Sequence, residues 1–432
     1  MARSPPTRWG PQSIEARFAF GQRQYSWQTA MMPATTYNEL PLGPAGQSIP
    51  SGPPLRAERR GDRVIVVFAT GSVSLLVDWL RDNCPCDVCR VRQTDERRIR
   101  PWDSASAAEI AAIDVIDDEL VARWANGHVS RFDKQFFASA DSASHRGAHT
   151  ARMWRTGYEI ERFDHDAAVN DIVTRRSMFE VFRRDGAVIV TQAPTVPGTC
   201  MTFLQSIGVT LRDSSLGLIF DVKVDPAGYN VAFTAEGISP HNDNAQYTHP
   251  PSGQVLAMLV NDASGGQSIA VDGWAIIDHL TALDPRAVDV LSRVPIGFRQ
   301  YSTTAEGYTR APLIVRDRDG KPQHLRFSNQ LMQPIPFDEP DLAEWYRAYR
   351  LLGATISDPA FQVRFRLNAG DMLIVHGMRI MHGRDAFAAD GARHLQDIYF
   401  DYDDVIGQLD RMTGAAINAM VETTTLVGEV DS

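Results

Sequence analysis

Two groups of residues in this sequence have the types and spacing to hold a metal ion. The first is Cys84-Pro85-Cys86-Asp87-Val88-Cys89, a C-x-C-x-x-C string that packs three sulfurs into one tight turn. Three thiolates at that spacing converge on a single ion, and Zn²⁺ completes its tetrahedron with a fourth ligand. His128, in the turn Asn126-Gly127-His128 of the same N-terminal region, is the candidate for it. A Cys₃His site has no open coordination position, so the expected zinc is structural and ties together a small domain whose core is thin. The competing reading is three reduced cysteines or a redox pair. Cys200 stands alone and reads as an inert small hydrophobe.

The second group centres on His241-Asn242-Asp243. Residues two apart on an extended segment share a face. An imidazole and a carboxylate on one face, joined by a remote imidazole, form a 2-His-1-carboxylate triad that holds Fe(II) and leaves three positions open. Those positions can take a bidentate 2-oxo acid and dioxygen. H-x-D alone is common by chance, and the C-terminal region adds weight. A turn and strand, Gly370-Asp371-Met372-Leu373-Ile374-Val375, leads into His376, with His382 shortly after and Arg393 eleven residues beyond that. An arginine fork binds a carboxylate through two parallel hydrogen bonds, as the far end of 2-oxoglutarate requires. Both His376 and His382 qualify as the third ligand on this reading. The bland alternatives are a structural histidine at 376 and a solvated arginine at 393.

The elements that must position these residues are short strands with helices grouped between them. Arg63–Phe68 and Ser72–Val77 read as a hairpin across Thr70-Gly71. Val173 to Arg184 has helical spacing, and Gly186–Val190 follows as a buried strand. Gln254–Val260, Val363–Leu367, Met372–Val375 and Asp397–Phe400 are further strands. Helices are expected near 274–283, 285–294 and 341–352. This order suggests a mainly β sandwich with helical buttresses, not a doubly wound parallel sheet. Residues 1–58 are rich in Pro, Gly, Ser and Gln and are expected to be a disordered extension. Its arginines overlap in composition with a mitochondrial presequence, and Met31 or Met32 is an alternative start. A small zinc-binding domain is expected over 59–145, its end (135–149) an Ala- and Ser-rich linker. A catalytic domain is expected over 155–412, with a tail at 413–432.

The 432 residues carry 43 Lys plus Arg against 53 Asp plus Glu, a net charge of −10. That acidic balance argues against a nucleic-acid coat or a polybasic membrane binder. No apolar run approaches the length of a membrane span. Four cysteines are too few for a disulfide framework. The dinucleotide-binding, P-loop and α/β-hydrolase motifs are missing from the sequence.

Taken together, the motifs resemble those of the γ-butyrobetaine and trimethyllysine dioxygenases, within the taurine dioxygenase superfamily of Fe(II)/2-oxoglutarate oxygenases. The likeness spans about 63 to 410. Trp79–Cys89 resembles the family's zinc motif, and His128 falls at its histidine ligand. Asn230-Val231-Ala232-Phe233-Thr234 leading to His241-Asn242-Asp243 resembles its metal-binding segment, as do Gly265-Gly266-Gln267-Ser268 and Val271-Asp272-Gly273. Arg379-Ile380-Met381-His382-Gly383-Arg384 resembles the distal-histidine block, and Arg393-His394-Leu395 the 2-oxoglutarate arginine region.

This resemblance implies a double-stranded β-helix (jelly-roll) core plus a small β-rich zinc-binding N-terminal domain. It selects His382 over His376 as iron ligand beside His241 and Asp243. It assigns Arg393 to 2-oxoglutarate, with Leu256 and Ser268 as lesser contacts. It implies O₂ as cosubstrate, C–H hydroxylation of a small molecule, a homodimer, and a cytoplasmic location, or a mitochondrial one in a eukaryote. Halogenation is disfavoured because Asp243 fills the position a halide needs.

The implied substrate site departs from the family. Relatives hold a trimethylammonium group against aromatic faces. Leu216 and Phe220 stand where the family has Tyr and Trp, and Phe233 where it has Tyr. Asn244 replaces a further aromatic residue, and Ser328 stands where Asn is frequent. Asn230 and Tyr399 are retained. A less cationic or more apolar substrate than γ-butyrobetaine is expected. Two other readings compete with this one. A non-catalytic metal-binding relative would lack 2-oxoglutarate-dependent oxygen uptake. A metal-dependent hydrolase or lyase would act without O₂.

Overall fold

The computed structural model describes residues 52–102, 109–139, 151–215, 217–224, 231–301, 306–388 and 390–412. The first strand, β1 (Arg56–Arg60), runs antiparallel to β2 (Arg63–Phe68), which pairs in turn with β3 (Gly71–Leu76). β1 begins inside the stretch expected to be disordered as far as residue 58. Its sequence, Arg-Ala-Glu-Arg-Arg, has no apolar periodicity to betray it, because it is an edge strand whose order comes from pairing with β2. A one-and-a-half-turn helix, α1 (Val77–Asp82), delivers the cysteine string. A second meander follows: β4 (Ile110–Ile116), β5 (Glu119–Trp124) and β6 (Val129–Phe132). Next comes α2 (Lys134–Ser139), so the Ala- and Ser-rich stretch expected as a linker opens in a helix. Phe136 and Phe137 are what fold it: they pack with Phe132 and Phe68 into an aromatic cluster. The alternating strand residues Val64, Val66, Phe68, Leu120, Ala122, Trp124 and Phe132 make one small core.

The larger region starts with β7 (Arg162–Asp164), α3 (His165–Asn170), α4 (Ile172–Asp185) and β8 (Ala187–Thr191). Asp171 caps α4 by accepting from the Val173 and Thr174 amides. Gly186, in the left-handed region at φ 77°, ends it. After α5 (Thr199–Ser206) come β9 (Leu211–Arg212), β10 (Phe220–Lys223), β11 (Ile238–His241), β12 (Gly253–Asn261) and β13 (Ser268–Asp272). Helices α6 (Gly273–Leu283) and α7 (Pro285–Arg293) lead to the hairpins β14 (Ile296–Tyr301)–β15 (Glu306–Ala311) and β16 (Ile314–Arg316)–β17 (Pro322–Leu325). The chain closes with α8 (Leu342–Ser357), β18 (Gln362–Phe365), β19 (Met372–His376), β20 (Ile380–Arg384), β21 (Arg393–Phe400) and α9 (Tyr402–Met412).

Two sheets form the sandwich. The major sheet has the order β10-β21-β12-β19-β8-β7, with β9 added to β21, and the minor sheet the order β11-β20-β13-β18. Strand periodicity sorts the side chains into layers. Val255, Ala257, Met372, Ile374, Ile398 and Phe400 point outward onto α3, α4, α5 and α9. Their neighbours Leu256, Met258, Leu373, Val375 and Leu395 point inward and meet Ala270, Val363 and Ile380 of the minor sheet. Ile269, Val271 and Met381 leave the far side of the minor sheet to pack on α6, α7 and α8. This is the expected mainly β jelly roll with helices on its outer faces. The functional groups occupy the inner space between the sheets.

Candidate active site

β11 and β20 pair antiparallel with His241 directly opposite His382. Such cross-strand partners stand close and on one face. Gly383 permits that pairing, since a Cβ there would lie 2.6 Å from the Ile238 carbonyl oxygen and 3.0 Å from the Pro240 nitrogen. The two imidazole centroids are 4.6 Å apart. Asp243 follows two residues after His241, with Oδ1 3.2 Å from His241 Nε2 and Oδ2 3.7 Å from His382 Nε2. One ligand atom from each of the three residues lies within 4.8 Å of the others. Octahedral sites with bonds of about 2.1 Å place neighbouring ligands roughly 3 Å apart, so small side-chain adjustments bring this donor set onto one ion.

The backbone around the group fixes it. Asn242, between the two ligand residues, turns away and donates to the Gly377 carbonyl (2.8 Å), while its Oδ1 accepts from the Phe327 amide (2.9 Å). His241 Nδ1 is 3.0 Å from the Ser239 carbonyl, which assigns the proton to Nδ1 and leaves Nε2 free to ligate. Burial pushes the His382 imidazole down to about 4, against the attraction of Asp243. Burial alone would raise Asp243, but the two imidazoles outweigh it and hold the carboxyl well below the usual range.

A cavity open to solvent is lined by all three of these residues together with Arg393, Leu256 and Ser268. Arg393 starts β21, and its guanidinium lies 5.3 Å from the Phe387 ring centre. Its Nε is buried and has no partner among the described residues. Burial, with repulsion from Arg366, lowers its pKa. Of the residues expected to contact substrate, Phe220, Asn244, Ser328 and Tyr399 line the same cavity. Phe233 stands edge-on to Phe220 at 5.4 Å between centroids. Leu216 and Asn230 lie outside the described residues. His376, the other candidate third ligand, stacks on Tyr402 at 4.2 Å and meets Trp274 edge-on, away from the triad group.

The structure adds residues that the sequence reading passed over. Gln254 and Asp397 sit beside Asp243, and Gln300 and Gln330 line the cavity wall. Asp397 is 3% exposed, and burial plus the Asp243 charge raise its carboxyl well above the usual range. Buried Arg326 donates to the carbonyls of Ala245, Tyr247 and Thr248, tethering the loop that leaves the triad. A buried arginine has no sequence periodicity that distinguishes it from a surface one, so only the fold reveals this role.

The second cluster is in the N-terminal region. The Sγ atoms of Cys84, Cys86 and Cys89 lie 3.3, 3.6 and 3.6 Å from His128 Nε2. Tetrahedral zinc, with Zn–S of about 2.3 Å and Zn–N of about 2.05 Å, requires S···N separations of about 3.6 Å. The turn at Gly127, φ 83°, and the bond from the His128 amide to Asn126 Oδ1 aim the imidazole at the sulfurs. Arg81 Nη1 donates to Cys89 Sγ at 3.3 Å.

An inner-face triad of two histidines and a carboxylate, with an arginine facing the same cavity of a jelly roll, defines the class of Fe(II)/2-oxoglutarate-dependent oxygenases. The family model for taurine catabolism dioxygenase TauD and the TfdA family matches residues 155–399, and the chain belongs to that family of oxidoreductases. A second model, gamma-butyrobetaine hydroxylase-like, N-terminal, matches residues 55–136. The chain is 32% identical to a gamma-butyrobetaine dioxygenase of Pseudomonas over 80% of its length and 92% of the relative's. It is 21% identical to the mitochondrial trimethyllysine dioxygenase of Gallus gallus, over 80% and 85%. An asparagine oxygenase solved with Fe(II), hydroxyasparagine and succinate aligns over 55% of this chain and 82% of its own, at 22% identity and a TM-score of 0.43. No helix among the described residues is long and apolar enough to cross a membrane.

Proposed function

We propose that this chain hydroxylates an unactivated C–H bond of a small molecule, using Fe(II), 2-oxoglutarate and O₂, and that its substrate cage differs from that of its γ-butyrobetaine relatives. The observation that carries this reading is the convergence of His241, Asp243, His382 and Arg393 on one cavity. The donor set, two neutral imidazoles and a carboxylate, suits Fe(II) and leaves coordination positions open. Arg393 Nε, buried without a partner among the described residues, suits the far carboxylate of 2-oxoglutarate, with Leu256 and Ser268 alongside. Iron bound there supplies oxidative decarboxylation of 2-oxoglutarate to succinate and CO₂, coupled to oxygen insertion. The chain's own part is to hold the His241 imidazole in one tautomer, to neutralise the cosubstrate and to seat the substrate beside the metal.

The cavity walls support the altered cage. Phe220, Val222, Val231 and Leu331 offer apolar surface. Of the cage positions among the described residues, only Phe220 and Tyr399 bring rings to the lining. Asn244 Nδ2 and Ser328 Oγ are buried without partners among the described residues and offer hydrogen bonds instead. A quaternary ammonium group makes no hydrogen bonds and draws about 0.5–2 kcal/mol from each ring face. A substrate with a polar acceptor and an apolar body fits better. We further assign a structural zinc to Cys84, Cys86, Cys89 and His128.

The test is 2-oxoglutarate turnover to succinate across betaines, amino acids and neutral carboxylates. Stimulation by an amino acid or neutral carboxylate at least tenfold above that by γ-butyrobetaine is expected. A preference for γ-butyrobetaine would overturn the altered cage, and no succinate with any compound would overturn hydroxylation.

A further inference from the structure

The triad carboxylate is held from below by two residues that pair with each other across the major sheet. Gln254 of β12 is the register partner of Tyr399 of β21, and Leu256 is the partner of Asp397. Residues two apart share a face, so Gln254, Leu256, Asp397 and Tyr399 all project into the space between the sheets. Gln254 Nε2 donates to Asp243 Oδ2 at 2.7 Å and reaches Asp397 Oδ1 and Oδ2 at 2.9 and 3.0 Å. The Tyr399 hydroxyl lies 3.0 Å from the same Asp243 Oδ2 and 2.7 Å from Asp397 Oδ2. Gln254, Asp397 and Tyr399 are each no more than 4% exposed.

All this attention falls on one oxygen of Asp243. Oδ2 is within hydrogen-bonding distance of both donors, while Oδ1 stands 3.2 Å from His241 Nε2. A carboxylate oxygen that accepts two hydrogen bonds is a weaker and less mobile ligand than its twin, and the pair of bonds fixes the rotation of the carboxylate plane. We propose that Gln254 and Tyr399 are positioning residues that clamp Asp243 Oδ2 and fix the carboxylate, so that Oδ1 is the oxygen Asp243 would offer to the metal. Asp397 anchors the clamp by accepting the second N–H of Gln254, and its Oδ2 stands 2.7 Å from the Tyr399 oxygen. Tyr399 thereby serves the metal through its hydroxyl as well as facing the substrate cavity with its ring. The amide is required at 254: a glutamate would place a third carboxyl group against Asp243 and Asp397 and has no N–H to give.

The inference rests on the triad reading, and the experiment separates the two. Co²⁺, a spectroscopic stand-in for iron, is titrated into the full chain with the Cys84–Cys86–Cys89–His128 site already filled by Zn²⁺, followed by its visible d–d absorption, with His241→Ala as the reference for loss of a ligand. Loss of saturable Co²⁺ binding in His241→Ala is expected, and binding unchanged there would overturn the triad itself. With the triad standing, Gln254→Leu and Tyr399→Phe each weaken Co²⁺ by about 10–100-fold and alter its d–d spectrum. Tyr399→Phe keeps the packed ring and removes only the hydroxyl, so it decides the matter if Gln254→Leu does not fold. Co²⁺ affinity within twofold of the unaltered chain and an unchanged spectrum, even with a lowered unfolding temperature, would overturn the clamp.

Discussion

Replacing Arg393 with methionine should move stability and cosubstrate affinity in opposite directions. In the protein alone, Arg393 Nε is buried without a partner, its pKa is depressed by burial, and Arg366 repels it. A buried unsatisfied donor costs about 1–3 kcal/mol. Methionine fills similar volume with no polar atom, so Arg393→Met should stabilise the apo chain by about 1 kcal/mol, or about 2–4 °C for a domain of this size. On the proposed assignment, the same guanidinium would make a charge-assisted, bidentate contact with 2-oxoglutarate. Charged hydrogen bonds contribute about 1.5–3 kcal/mol each, so losing two should cost the variant about 3–6 kcal/mol of 2-oxoglutarate affinity, a factor of roughly 10² to 10⁴. Thermal unfolding without ligand measures the first effect. Anaerobic titration of the Fe(II)-loaded chain with 2-oxoglutarate, followed by charge-transfer absorption, measures the second. A structural arginine would behave otherwise: the variant would melt lower and bind 2-oxoglutarate within twofold of the original. That result would refute the assignment.

Three further outcomes are expected. Cys84→Ser or prolonged chelation should release one zinc per chain and lower the unfolding temperature of the N-terminal region, and metal analysis finding no zinc before treatment would contradict the structural site. Gly383→Ala places a Cβ 2.6 Å from the Ile238 carbonyl, so it should spread β11 from β20, cost about 1–3 kcal/mol and weaken Co²⁺ binding, whereas unchanged melting and binding would show that the close approach is not needed. The third concerns pH. Burial, Arg379 and His324 hold the His376 imidazole down to about 3, far below its value of about 6.5 in an unfolded chain. The unfolded state then binds the extra proton, so this stability is complete above about pH 6.5 and declines as pH falls toward 3; by pH 5 about 2 kcal/mol is lost. His376→Gln should flatten the stability profile between pH 7 and 5 by about one proton, and an identical slope would contradict a buried neutral imidazole.

What could be read in the sequence was whatever depends on neighbours along the chain. The C-x-C-x-x-C string converges because its residues share one turn, and His241 and Asp243 share a face because they are two apart. Apolar runs announced β12 and β19, alternation announced β18, and helical spacing announced α4, whereas Gly186, expected to open the next strand, is the left-handed residue that ends α4. Strand β1 escaped because an arginine-rich edge strand takes its order from a partner. The choice between His376 and His382 needed the family likeness, since both sit in the same strand–turn–strand unit and differ only in which side of the sandwich they reach. The clamp on Asp243 was illegible for a related reason: Gln254 and Tyr399 are 145 positions apart and meet only through the β12–β21 register. Asn244 shows the opposite case. Its place after Asp243 was plain, but its Nδ2 without a partner among the described residues and its φ of 55° belong to the folded loop alone.

The central claim is that His241, Asp243 and His382 hold iron for 2-oxoglutarate-dependent oxygenation. The most direct measurement is iron- and oxygen-dependent conversion of 2-oxoglutarate to succinate by the full chain, compared among His241→Ala, His382→Ala and His376→Gln. Turnover is expected to vanish in the first two and to persist in the third. Full turnover in either alanine variant, or its loss only in His376→Gln, would contradict the site described here.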